Sequence, residues 1–90
     1  MTHDRISRLT RDAIKSVRYD KYGLSDGFLS VRYIDMTDGG AWTIAFWLKG
    51  DVGAEIQIAT PAQATDELIK NRIISEIELN LTRWRELLVS

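Results

Sequence analysis

The segment from residue 37 to residue 53 constrains the fold more than any other part of this 90-residue chain. Within it, the stretch AWTIAFWLK lies between two glycine-containing segments, TDGG and GDVG. Large apolar residues occur at every second position of the stretch, which is the period of a β-strand with one face in a core. Aspartate and glycine on both sides predict tight turns. We therefore predict a central strand joined by turns to one strand before it and one after it, as an antiparallel meander.

The strand before the central one is predicted to pair with it in a specific register. If residues 37–40 form a four-residue loop, Met36 lies opposite Ala41, and the apolar alternation of FLSVRYIDM then matches that of the central strand. This register directs one set of side chains to the core: Leu29, Val31 and Tyr33. It directs the other set to the opposite face: Ser30, Arg32 and Ile34.

The third strand is predicted to follow a three-residue loop at positions 51–53. Glycine at the last of these positions suits the left-handed conformation that such a loop requires. The resulting register places Lys49 opposite Glu55, which is a favourable charge pair across the strands. The other pairs of interest in this register are Phe46 with Ile58 and Trp47 with Gln57.

Two amphipathic helices are predicted to flank the strands. Residues 4–18 carry apolar side chains on one face and basic side chains on the opposite face. TPAQ at 60–63 is typical of a helix start, with Thr60 as N-cap, Pro61 in the first position and Gln63 completing a capping box. Since no glycine or proline follows, this helix is predicted to continue to about Leu88. Its apolar face comprises Ile69, Ile73, Ile74, Ile77, Leu81, Trp84, Leu87 and Leu88, with Leu68 and Leu79 outside it.

Together these elements predict a single α+β domain over residues 1–90, in the order α-β-β-β-α, with both helices on one face of the sheet. The chain contains no cysteine, so apolar burial rather than disulfides must stabilise the core. Its apolar runs are too short to cross a bilayer, and its charged start is unlike a signal peptide. We therefore expect a cytoplasmic protein without a membrane partner.

The sheet face without helices is the first candidate site. Trp42 and Trp47 are five positions apart, so if Trp42 points into the core, Trp47 points away from it. An exposed tryptophan beside long polar side chains has the composition of a protein-binding patch. The predicted members of this patch are Arg32, Trp47, Lys49 and Gln57. Two alternatives stay open: residues 19–27 cover Trp47 with Arg32 stacked on its ring, or the patch is the contact of a homodimer.

The basic face of the first helix is the second candidate site. Residues 1–22 contain six basic and three acidic residues, whereas the rest of the chain contains six basic and ten acidic ones. A cationic stripe of this kind suits either nucleic-acid phosphates or an acidic protein partner. The alternative is a solvated face that is partly paired with acids of the second helix. The stripe consists of Arg5, Arg8, Arg11, Lys15 and Arg18.

Catalytic and metal sites are not predicted. His3 is the only histidine and has no predicted partner that would make it a base or a ligand. Asp35, Asp38 and Asp51 lie near turns at opposite ends of the central strand, so they do not converge on one ion. We predict a small non-enzymatic protein-interaction domain without a cofactor, which acts as an inhibitor or adaptor. The alternative is a nucleic-acid-binding or regulatory accessory domain that uses the basic stripe.

The α-β-β-β-α order resembles that of the double-stranded-RNA-binding domain, but the resemblance is confined to the order. That family has a basic cluster at the start of its last helix, where this chain has PAQATDELIKNR with Asp66 and Glu67. Its histidine-bearing loop between the first two strands corresponds to TDGG here, so RNA binding is not carried over. The order also resembles that of small phage-encoded inhibitors that occupy a host protein's nucleic-acid site, which implies protein binding.

Overall fold

The computed structural model describes residues 2–18, 21, 29–48 and 52–89, without the side chains of residues 52 and 87–89. The elements follow the predicted order: α1 His3–Ser16, β1 Leu29–Met36, β2 Ala41–Leu48, β3 Val52–Ala59 and α2 Asp66–Val89. The three strands form an antiparallel sheet with β2 in the centre. The predicted α+β meander with two helices is therefore confirmed. Within the described ranges, no helix combines the length and the apolar character needed to cross a membrane.

The core lies between one face of the sheet and the two helices. α1 contacts β1, α2 contacts β3, and the helices contact each other. The centre of the core contains apolar side chains with no exposed area, contributed by both helices and the two strands β2 and β3: Ile6, Ile44, Phe46, Ile58, Ile73, Ile77 and Leu81. Trp42 is also buried, as the strand alternation predicts.

The register between β1 and β2 is as predicted at one end only. Leu29 pairs with Leu48 and Val31 with Phe46, but a β-bulge at Arg32 shifts every later pair by one residue. A bulge reverses the faces of the residues beyond it. Ile34 therefore packs against the core, and Tyr33 is 49% exposed on the other face. The predictions that Tyr33 lies in the core and Ile34 on the open face were both wrong.

The turn between β1 and β2 explains this bulge. The backbone N–H of Thr37 donates to the carbonyl of Ala41, and Gly40 adopts a positive φ of 80°. These contacts define a three-residue loop with glycine in the left-handed position, not the predicted four-residue loop. The three-residue loop thus sets the shifted register beside the turn. The bulge restores the predicted register at the far end of the strand, where Leu29 pairs with Leu48.

The register between β2 and β3 differs from the predicted one by four residues. Phe46 pairs with Ala54 rather than with Ile58, and Glu55 pairs with Ala45. The observed register pairs β2 along its whole length, from Ala41 to Leu48, whereas the predicted one would leave one end of β2 unpaired. A shift by an even number of residues keeps each side chain on its face, so the core composition is unaffected. The predicted partner of Glu55, Lys49, lies outside the described residues.

The second helix begins later than predicted, at Asp66 rather than near Thr60. Residues 61–64 form a turn in which the N–H of Ala64 donates to the carbonyl of Pro61 at 3.0 Å. The N-cap is Thr65, whose Oγ1 accepts from the N–H of Leu68 at 3.2 Å. Two acidic residues in the first turn then complement the helix dipole, which favours this start over the one at Thr60.

The apolar face of α2 agrees with the prediction over its described part. Buried residues recur at intervals of four, and Trp84 contacts Phe46 edge to face with ring centroids 6.2 Å apart. Leu68 and Leu79 are 62% and 49% exposed, as their positions outside the apolar face predict. The contact of Trp84 with the central strand shows that the carboxyl-terminal half of α2 still packs on the sheet.

Candidate interaction surfaces

The face of the sheet opposite the helices carries three rows of side chains. The rows follow from the observed registers and alternate with the rows of the core face. None of the described helices packs on this face, which we call the open face. Its rows are Ser30–Trp47–Gly53, Tyr33–Ala45–Glu55 and Asp35–Thr43–Gln57.

Trp47 lies across Gly53 of the neighbouring strand. A Cβ atom added at Gly53 would lie 2.6 Å from two ring carbons of Trp47, so the ring occupies the space that another side chain would fill. The guanidinium carbon of Arg32 is 5.4 Å from the centroid of the same ring, within range of a cation–π contact. The stacking of Arg32 on Trp47, which is part of the alternative in which Trp47 is covered by its own chain, is therefore present. Of residues 19–27 the structure describes Lys21 alone, so cover of Trp47 by this segment lies outside the described residues.

Tyr33 and Asp35 form a hydrogen-bonded pair on the open face. The Tyr33 hydroxyl donates to Oδ2 of Asp35 at 2.5 Å, and the backbone N–H of Met36 donates to Oδ1 at 2.8 Å. The bond from Tyr33, followed by the bond from Met36, lowers the pKa of Asp35 below its ordinary value. The bond to this carboxylate raises the pKa of Tyr33. The pair fixes an exposed aromatic ring in one orientation, and it was missed from the sequence because the bulge reverses the face of Tyr33.

Four residues were predicted for this patch, and the structure brings two of them together. Arg32 and Trp47 are in contact. Gln57 is exposed on the same face but pairs with Thr43, so its predicted place beside Trp47 was wrong and Gly53 takes that place. Lys49 lies outside the described residues. The lone glycine in β3 was the sequence signal for a close approach by a large neighbouring side chain.

The five cations of the basic stripe of α1 fall into two groups, those paired with an acidic residue in the described part of α2 and those that are not. Nε of Arg5 donates to Oδ1 of Asp66 at 2.6 Å, and a terminal guanidinium nitrogen of Arg8 donates to Oδ2 at 3.3 Å. One carboxylate at the start of α2 thus pairs with two of the five predicted cations, as the alternative of pairing with the second helix proposed. The three remaining cations are exposed and form no ion pair with the described part of the chain: Arg11, Lys15 and Arg18.

A groove of about 340 Å³ runs between α1 and the outer strand β1. Its helix side consists of residues spaced by four, which form one side of α1. Its strand side consists of four successive residues of β1. The complete lining is His3, Ser7, Arg11, Val31, Arg32, Tyr33 and Ile34.

His3 joins the two walls of this groove. Its Nε2 donates to the backbone carbonyl of Ile34 at 3.2 Å, and its ring contacts that of Trp42 edge to face. The hydroxyl of Ser7 lies 3.5 Å from Nδ1 and also orients the ring. The sequence predicts no partner that would make His3 a base or a ligand, and the structure places its ring in a structural contact with the sheet edge.

Among the described residues, no group of three or more histidine, cysteine, aspartate or glutamate side chains is arranged to hold a metal ion. Comparisons with protein-family models, with curated proteins and with solved structures found no match to this chain.

Proposed function

We propose that this chain is a protein-interaction domain that binds a protein partner through the open face of its sheet. The observation that carries this proposal is the arrangement of Trp47, Arg32 and Tyr33. The indole of Trp47 lies on Gly53, and the guanidinium of Arg32 lies over that indole. The half-exposed ring of Tyr33 is held by Asp35. These side chains occupy neighbouring positions of one face. Tryptophan, tyrosine and arginine are the side chains that most often dominate binding energy at protein interfaces.

The fixed geometry of these side chains supports the same proposal. Binding costs free energy for each side chain that must be ordered in the complex. Here the ring of Trp47 and the ring of Tyr33 are already held by contacts within the free protein. We therefore propose that the domain acts by occupying a partner's surface, as an inhibitor or an adaptor does, rather than by catalysis.

The size of the open face limits how strongly it can bind alone. Three strands of eight residues present a flat area of roughly 26 Å by 14 Å, which is about 360 Å². A standard interface buries about 800 Å² on each partner. We therefore expect either a transient complex or a partner that also contacts a surface next to the sheet.

The test is capture of partners from a lysate of the organism that encodes the chain. Immobilised wild type is compared with Trp47→Ala and with Gln57→Ala, which both change the open face. Leu68→Ala is the control, because it removes an exposed apolar side chain that lies on α2 rather than on the sheet. Circular dichroism and urea unfolding establish that each bait is folded.

The proposal predicts a protein that is captured by wild type and by Leu68→Ala and is lost with Trp47→Ala. Its contact should then map to the open face by amide chemical-shift changes on addition of the purified partner. Capture of the same proteins by all four baits would contradict the proposal. A concentration-dependent mass of the wild type alone that Trp47→Ala abolishes would assign the face to a homodimer instead.

A further inference from the structure

The groove between α1 and β1 reaches the backbone of the sheet edge. Successive residues of a strand point to opposite faces, so a groove confined to one face would contact every second residue only. This groove is lined by four successive residues, from Val31 to Ile34. It therefore runs along the edge of β1, where the polar groups of the strand backbone are accessible.

The contact of His3 gives independent evidence that this edge accepts hydrogen bonds. Among the described strands, β1 is an outer strand and pairs with β2 alone. The carbonyl of Ile34 accepts a bond from a side chain that lies outside the sheet. An outer strand with accessible backbone groups is a template for the addition of another extended segment.

The charges of the groove select the kind of segment. Its charged side chains are Arg11 on the helix side and Arg32 on the strand side, and no carboxylate of the described residues lines it. A second depression on α1 continues from the groove, shares His3, Ser7 and Arg11 with it, and adds Arg8 and Lys15 along with two aspartates. An extended segment with acidic side chains would place carboxylates next to guanidinium groups, which is a favoured pairing.

A second copy of this chain fits the edge less well. Two β1 edges brought together would each present Arg32 and Arg11, so like charges would meet. The bulge at Arg32 also interrupts the regular spacing of the strand, and bulges of this kind oppose edge-to-edge pairing of whole sheets. A short segment of a different protein is affected less by an irregular edge than a full strand is.

We propose that the edge of β1 binds a short acidic segment of a partner protein in extended conformation, as an added strand beside β1 that takes the place of His3 at the carbonyl of Ile34. The main-chain bonds of such a segment would provide affinity, and Arg11 and Arg32 would select for acidic side chains. This binding mode lies beyond the proposed function of the open face: the two sites share Arg32, but the added segment lies along the strand edge rather than over Trp47.

The experiment is a selection of seven-residue peptides from a random displayed library on the immobilised full chain. A parallel selection uses Arg11→Glu, and a third uses Arg83→Glu, which reverses an exposed arginine of α2 that does not line the groove. We expect acidic peptides without proline to be enriched on wild type and on Arg83→Glu, and not on Arg11→Glu. Absence of acidic enrichment on wild type would overturn the proposal.

The strongest peptide is then synthesised in three forms: unchanged, with amides in place of its carboxylates, and with alternate backbone nitrogens methylated. Strand addition predicts that each change weakens binding by about tenfold or more, since each removes charge-assisted or backbone hydrogen bonds. Unchanged affinity after methylation would show that the peptide binds by charge alone and would overturn strand addition.

Amide chemical-shift changes in the protein locate the bound peptide. We expect them in residues 29–36 and on the side of α1 that contains Ser7 and Arg11. Gln57→Ala should bind the peptide as wild type does, because Gln57 belongs to the open face only. Shifts centred on Gln57 and Thr43 would overturn the edge site while leaving the open face as a binding surface.

Discussion

At the scale of single residues, the pairing of Trp47 with Gly53 makes a sharp prediction. An alanine Cβ at position 53 would lie 2.6 Å from the indole, so the ring must leave its place over β3. We expect Gly53→Ala to lower the free energy of unfolding by about 1 kcal/mol, at the lower end of overpacking costs because the ring is partly exposed. Gly39→Ala is the control, since its Cβ would be 4.0 Å from the nearest atom. Urea unfolding measures both, and equal stability of the two variants would contradict the contact.

The pair formed by Tyr33 and Asp35 predicts a pH dependence at the same scale. Because folding lowers the pKa of Asp35, the bond stabilises the fold above the pKa of this carboxyl in the unfolded chain, and the contribution is lost as the pH falls through its folded pKa. The pKa of Tyr33 is raised, so its contribution is present below the ordinary pKa of tyrosine and is lost as the pH rises through the folded pKa.

Tyr33→Phe should therefore be less stable than wild type at neutral pH, and the difference should shrink in strong acid and in strong alkali. Urea midpoints across a pH series measure it. Asp38→Asn serves as the control, because it removes a carboxylate from the adjacent turn and leaves the pair intact. A stability difference that is constant with pH would show that the hydroxyl contributes no bond to Asp35.

At the scale of helices, the start of α2 distinguishes the N-cap predicted from the sequence, Thr60, from the N-cap in the structure, Thr65. Thr65 accepts a bond from the N–H of Leu68, whereas Thr60 lies before a turn that ends at Ala64. We expect Thr65→Ala to cost about 1 kcal/mol, as N-cap losses do, and Thr60→Ala to cost clearly less. Thermal unfolding of the two variants tests this. A larger cost at Thr60 would place the helix start where the TPAQ segment predicts it.

The strands show why periodicity predicts elements better than registers. Alternation in AWTIAFWLK and the apolar face of α2 each repeat over many residues, so they predict the type of an element reliably. The bulge at Arg32 depends on a balance between the turn at Gly40 and the pairing of Leu29 with Leu48. No local pattern in FLSVRYIDM records that balance, and it decides whether Tyr33 or Ile34 is exposed.

At the scale of the whole molecule, the candidate sites depend on contacts between segments far apart in the sequence. Arg32 and Trp47 could be predicted to meet, because hairpin pairing brings the first two strands together. The pairing of Arg5 and Arg8 with Asp66 and the groove beside His3 depend on how α1 is placed against α2 and β1. Helix packing against a sheet leaves no periodic signal, so the sequence predicts the charge of α1 but not which of its cations stay unpaired.

This division of the basic stripe predicts how the molecule responds to polyanions. Three cations without an ion pair would give a slope of about −2.7 for the logarithm of DNA affinity against the logarithm of salt concentration. That slope corresponds to weak binding at physiological salt. Asp66→Asn removes the carboxylate that engages Arg5 and Arg8, so five cations become available and the slope should steepen to about −4.5.

Glu67→Gln is the matched variant for this measurement, because it changes the net charge by the same amount in the same turn of α2. If the slope depends on which cations of the stripe are paired, Glu67→Gln should retain the wild-type slope and Asp66→Asn should not. Equal slopes for the two variants would show that net charge alone controls the response. A wild-type slope already near about −4.5, the value expected for five cations, would contradict the engagement of Arg5 and Arg8 by Asp66. Asp66 would then fail to compete with phosphate for the two arginines. That result would favour nucleic acid as the partner of α1.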